Sequence, residues 1–143
     1  MSSIRDQILT AVNTALNATG APCTFFRCRQ DEFQIGELPA GNMFPKKLAT
    51  QIDAKESMGI LTIEVACIVA TTQDPVDQAA DPLLVWAESK IMAPGNLGGL
   101  CTFIESVSVE WFMEQKGAEQ CGAIMTFDIH FRTALTDAQA NQS

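Results

Sequence analysis

His130 is the chain's one histidine and the first residue to consider for proton chemistry, because imidazole titrates near neutral pH. It sits between Asp128 and Arg132 on the polar side of an alternating segment. A catalytic imidazole needs a nucleophile within hydrogen-bond reach. The spacing of the sequence supplies no such partner, so His130 reads as solvated or subunit-contacting. Glu105, Glu110 and Asp128 can meet on neighbouring strands. Paired carboxylates do acid–base work only where a pocket drives their pKa values apart; on a polar sheet face they read as solvated or interface-lining.

The other chemistry-bearing residues lead to the same place. Cys23, Cys28, Cys67, Cys101 and Cys121 are odd in number, and no CxxC occurs, which suits neither a disulfide framework nor a zinc site. Cys67, Cys101 and Cys121 lie among apolar residues and read as small buried thiols. Leu97-Gly98-Gly99-Leu100 is glycine-rich, but it follows a helix and precedes a strand, the reverse of a phosphate-cradling loop; it reads as a turn. Arg27 and Arg29, two residues apart in a strand, would share one face as exposed charges or salt-bridge partners. No catalytic, cofactor-binding or metal-binding residue is assigned, and the chain is read as a non-enzyme.

The 143 residues, 47% hydrophobic and 18% charged, suit one globular domain, 1–143, with a frayed tail at 136–143. No apolar run reaches the ~18 residues that span a bilayer. The first residues lack the basic-then-apolar order of a signal peptide, and the reading is a soluble chain made in the cytosol. A net charge of −8 argues against gripping nucleic acid through its phosphates.

The elements that must position these residues come from hydrophobic period. Ile4, Ile8, Leu9, Val12, Ala15 and Leu16 mark an amphipathic helix over 4–17, with Ser3 as its cap and Gly20 beyond its end. Residues 23–29 read as a strand. From 31 to 57 the period is lost among Gly36, Pro39, Gly41 and Pro45, yet apolar residues persist; such a long irregular connection is expected to find a partner surface, on its own subunit or on a neighbour. Residues 59–71 alternate as a long central strand, apolar on both faces, and 71–74 leave the sheet. Asp81-Pro82 marks a helix start running to about Met92. A long hairpin closes the chain. In 101–113, Val107, Val109, Trp111 and Met113 share one face; 114–117 turn; 121–132 alternate with period two. The predicted class is α+β: a mixed, mainly antiparallel sheet with a long C-terminal hairpin, packed against two helices.

In order and spacing, these elements resemble the tail terminator (tail completion) proteins of long-tailed bacteriophages, over about residues 2–135. The resemblance rests on the N-terminal helix, the strand ending in Arg27 and Arg29, Leu38-Pro39-Ala40, and the strand at 59–71. It also takes in Ala80-Asp81-Pro82-Leu83, Leu97-Gly98-Gly99-Leu100 and the hairpin ending in Phe131-Arg132-Thr133. It implies a structural virion protein that forms a ring, six-fold in that family. Such a ring caps the tail tube, stops its polymerisation and joins tail to head. The implied partners are further copies of the chain, the tail-tube protein and the head–tail connector protein. DNA passes through the lumen without specific binding, and no membrane or cofactor is involved. The implied location is the head-proximal end of the tail, after assembly in the host cytoplasm. Alternatives are another head–tail connector (stopper), a tail-tube protein, or, more distantly, a small ligand-binding or adaptor domain.

A ring subunit needs two different patches that meet in rotation. Phe33, Ile35, Leu38, Met43, Phe44 and Leu48, apolar residues of the irregular stretch, are the candidate subunit-interface residues. On this reading Met43→Asp or Phe44→Asp would weaken ring formation and spare the fold.

Overall fold

The structure is a computed structural model that describes residues 3–31, 33, 35–53, 56–70, 75–112 and 120–134. The turn expected at 114–117, Met113, residues 71–74 and the tail at 136–143 lie outside the described residues. The chain runs α1 (Ile4–Leu16), β1 (Thr24–Arg27), a 3-10 turn (Ile35–Glu37), β2 (Ala40–Asp53), β3 (Glu56–Ala70), α2 (Val76–Ile91), a single helical turn α3 (Asn96–Gly99), β4 (Phe103–Phe112) and β5 (Gln120–Ala134).

The strands form one sheet in the order β1-β2-β3-β5-β4, antiparallel except for the parallel β1–β2 pair. With α1 and α2 packed on it, the sheet makes the mixed α+β fold that the sequence predicts. β3 is central, and its pairing with β5 runs without a register shift from Glu56↔Ala134 to Ala70↔Gln120. Alternation then sorts the side chains. Leu61, Ile63, Val65 and Cys67 of β3 and Ala123, Met125, Phe127 and Ile129 of β5 form one buried layer with Ile8, Val12 and Leu16 of α1 and Leu83, Ala87 and Ile91 of α2. The opposite face carries a smaller cluster, Phe33, Ala40, Ala66 and Ile68.

α1 forms as its stripe predicts, and Ser3 caps it: Asp6 N–H donates to Ser3 Oγ at 3.1 Å, satisfying one of the helix's orphan donors. Asn17, at the C-terminal end, grips β1. Its Oδ1 accepts from Phe25 N–H and its Nδ2 donates to the Phe25 carbonyl, both at 2.8 Å. One side chain thus takes the place of a neighbouring strand on the outer edge of β1. Asn42 of β2 makes the same two bonds to Arg29 beyond the end of β1, accepting from its N–H and donating to its carbonyl at 3.1 Å.

Three expectations change. First, α2 begins at Val76, with Pro75 at the N-cap position and no side-chain cap, and Pro82 lies inside it; Asp81 is not its cap. The proline removes one helical hydrogen bond, but the earlier start buries Ala80 against Val69 and Cys121. Second, residues 40–53 are not irregular. They form β2, paired with β3 along its whole length. A bulge between Pro45 and Lys47 inserts Lys46 and shifts the alternation by one residue. The side-chain period that identifies a strand is therefore broken halfway. Third, β4 has a bulge between Ser106 and Ser108, so Val107 is not on the ladder face of Val109 and Trp111.

Gly122 leaves no room for a side chain in the central pair: a Cβ there would run into the Cys67 backbone carbonyl. Backbone cannot swing aside as a flexible side chain can. Gly122→Ala is expected to cost about 1–3 kcal/mol in denaturant unfolding. Gly36→Ala, which meets nothing within 4 Å, is expected to leave the midpoint near wild type.

Candidate functional site

The six candidate interface residues do not form one surface. Met43, between Phe44 and Asn42 on β2, points into the helix-side core and is 0% exposed. Leu48 is partly buried against that same core. Phe33 is buried in the smaller cluster on the opposite face, where Leu38 and Phe44 pack partly buried; the side chain of Ile35 lies outside what the structure describes. The apolar residues between 33 and 48 thus serve mainly the chain's own two cores, and Met43 is no interface residue. The reason is strand alternation, which sends Met43 and Phe44 to opposite faces.

Arg27 and Arg29 also part. Cys28 takes a left-handed backbone conformation, φ 54°, which turns the chain over between them. Arg27 reaches α1, donating to Asp6 Oδ1 at 2.8 Å and Thr10 Oγ1 at 3.0 Å. Arg29 lies over the Phe26 and Phe33 rings at 4.8 and 4.2 Å. It forms a two-pronged pair with Glu37 at 2.8 and 2.9 Å, and those hydrogen bonds raise its pKa further. It closes the smaller cluster from outside.

His130 sits on the open sheet face, as its position in the alternation predicts. Its Nε2 lies 2.9 Å from Glu105 Oε1, and its ring stacks on Phe103 with centroids 4.0 Å apart. A cavity of about 360 Å³ and one of about 430 Å³ indent the surface; the larger is lined by Ala49, Thr50, Met58, Gly59, Ile60 and His130. Asp128 stands apart from that cavity's lining and accepts instead from Thr62 Oγ1 at 2.6 Å. The carboxylate holds the imidazole by one nitrogen. Among the described residues no hydroxyl or thiol is hydrogen-bonded to the other.

Cys67, Cys101 and Cys121 are buried, as expected, and Cys28 is exposed. Burial pushes the Cys67 thiol up to about 12 and the Cys23 thiol up to about 11, far from the thiolate form that reacts. Among the described residues no three of His, Cys, Asp and Glu cluster as a metal site requires.

The surfaces that the linear sequence does not reveal are the two sheet edges. β4 ends the sheet on one side. Val107, Val109 and Trp111 on it are 51%, 40% and 45% exposed, and Glu105 and Glu110 are exposed beside them. On the other side β1 pairs only with residues 40–43 of β2, which leaves the outer edge of 44–53 without a strand partner among the described residues. The smaller cavity lies along this edge. Leu9, Pro45, Leu48 and Leu61 make it apolar, and Arg5, Arg27, Lys46 and Lys47 rim it together with Asp6. The signals in the sequence are Pro45, which marks an edge or a bulge, and Val107-Ser108-Val109-Glu110-Trp111, whose alternation shows an apolar side without showing whether anything covers it.

Comparison with protein-family models and with curated proteins returns no match.

Met43→Asp places a carboxylate in the core at a cost of several kcal/mol, comparable with the ~5–15 kcal/mol that stabilises a domain, and is expected to abolish the cooperative thermal transition. Trp111→Asp is expected to keep it. A thiol-alkylating reagent at neutral pH is expected to modify Cys28 first, and Cys67 and Cys121 only after denaturant is added; mass spectrometry of the peptides reads the order.

Proposed function

We propose that this chain is a structural virion protein, a tail terminator subunit that closes with further copies into a ring, caps the tail tube and joins it to the head. The resemblance in element order supplies the family. The observation that carries the reading is the exposed pair Val109 and Trp111, with Val107 exposed at the bulge before them, on an end strand that the described residues leave uncovered. An apolar strip on an open edge is a surface made for another chain, and a hazard if left bare. The two ends of the sheet differ in composition, as a head-to-tail ring requires. The net charge of −8 fits a conduit through which DNA slides, since phosphates are repelled and not neutralised. Tube subunits and the head–tail connector would then meet the two flat ends of the ring.

The cavity beside His130 favours a second reading, a small ligand-binding domain. Native mass across a concentration series, with negative-stain images, separates the two. The expected result is a ring of about six copies with an open centre. A chain that stays monomeric throughout and binds a small apolar ligand would favour the second reading.

A further inference from the structure

The exposed β4 strip and the 44–53 edge of β2, which no strand covers among the described residues, lie on opposite sides of one sheet. We propose that they are the two halves of one interface: the β4 edge of each copy docks on the 44–53 edge of the next, so that the sheets run on from copy to copy. This rests on the reading of the chain as a ring subunit and names the surfaces by which the ring closes.

Face parity is the first argument. Val109 pairs with Met125 and Trp111 with Ala123, so both lie on the helix side of the sheet with those core residues. Glu105 pairs with Asp128 and Glu110 with Ile124, on the open side. On the other edge Leu48 pairs with Leu61, on the helix side, and Lys47 with Thr62, on the open side. When one sheet continues into the next with helix layers on the same side, Val109 and Trp111 meet the apolar groove of Leu9, Pro45, Leu48 and Leu61. On the opposite face, the register that sets Val109 beside Leu48 sets Glu110 beside Lys47, while Glu105, 2.9 Å from His130, adds its charge further along the same edge. Apolar meets apolar and acid meets base, with neither edge turned over. The chain direction also agrees. Three successive antiparallel pairings, β2–β3, β3–β5 and β5–β4, set β4 antiparallel to β2, so two copies in the same orientation join through an antiparallel ladder.

Charge is the second argument. Arg5, Arg27, Lys46 and Lys47 are four of the nine basic residues of a chain with net charge −8, and they gather along one edge. Arg27 is paired with Asp6, and Lys46 lies 3.5 Å from Glu64. Arg5 and Lys47 enter no ion pair among the described residues. β4, in contrast, carries Glu105 and Glu110 and no Lys or Arg. A bulge and two lysines keep an edge from pairing with any passing strand; here they admit a partner that brings negative charge. Two copies of the same edge repel each other, which disfavours a closed two-fold dimer relative to head-to-tail growth.

The test reverses each edge separately in the full chain: Lys46→Glu with Lys47→Glu in one variant, Glu105→Lys with Glu110→Lys in the other. Circular dichroism confirms that both fold, and sedimentation velocity reads assembly. Each variant alone presents like charge to like charge and is expected to associate about tenfold more weakly or worse. An equimolar mixture restores complementarity at both junctions, because the acidic β2 edge of one variant meets the basic β4 edge of the other. Alternating rings of wild-type mass are expected. Variants that each assemble as the wild type does would overturn the edge assignment and leave the ring reading standing. Folded variants whose mixture stays dissociated would overturn it too. A wild-type chain that stays monomeric in the same runs would remove the ring reading, and this interface with it.

Discussion

The unbroken pairing of β3 with β5 is the constraint on which the rest of the molecule depends. Fifteen residues of each strand run in one register, from Glu56↔Ala134 to Ala70↔Gln120. A one-residue slip of β5 against β3 would send Phe127 and Ile129 to the open face and Asp128 and His130 into the core. Two features hold it there. Alternate apolar residues on both strands gain only in this register, and Gly122 lets the β5 backbone pass close to the Cys67 carbonyl. α1 and α2 then have one surface to cover, and the apolar stripe of each is wide enough to do it.

Away from that pair, single residues shift the alternation. Lys46 is inserted in β2 and Val107 in β4, and Cys28 turns the chain over after β1. Each shift decides which face the next residues take. Lys46 allows both Met43 and Leu48 to reach the helix side. Val107 returns Val109 and Trp111 to that side after Ile104 has entered the core. Cys28 sends Arg27 to α1 and Arg29 to the smaller cluster, where Glu37 holds it. The bulges also fall on the edges of the sheet, where an irregular strand disturbs one ladder only and re-aims the side chains that face a partner.

Placed at the sheet edges, polar residues do structural work that would be given to further strands in a wider sheet. Asn17 and Asn42 satisfy the backbone of Phe25 and Arg29 with two hydrogen bonds each; the first closes the outer side of β1, and the second ties the segment after β1 to β2. Beyond β1 the edge of β2 has no such cover among the described residues, and neither does β4. Among the described residues one stretch of edge is thus finished and two are not, and the unfinished ones carry opposite charge. That asymmetry, more than any single side chain, supports the reading of the chain as a unit that repeats in one direction.

The sequence by itself determined the two helix stripes, the central strand, the long alternation of β5 and hence the α+β class, because each is a local period that burial of one face enforces. It determined the burial of Cys67, Cys101 and Cys121 for the same reason. Only the tertiary structure decided that 40–53 is a strand, since Gly41, Pro45 and an inserted lysine mask its period and its partner lies on β3. Pairing with β3 supplies what local propensity lacks. Tertiary packing also decided that Met43 is core and Trp111 is surface: both are apolar, and nothing local tells which of two sheet faces the helices will cover. The position of α2 before Asp81 comes likewise from Ala80 meeting Val69 and Cys121, residues distant in the chain. Which edges stay open is a property of strand order, and strand order is settled by pairing between segments far apart in sequence.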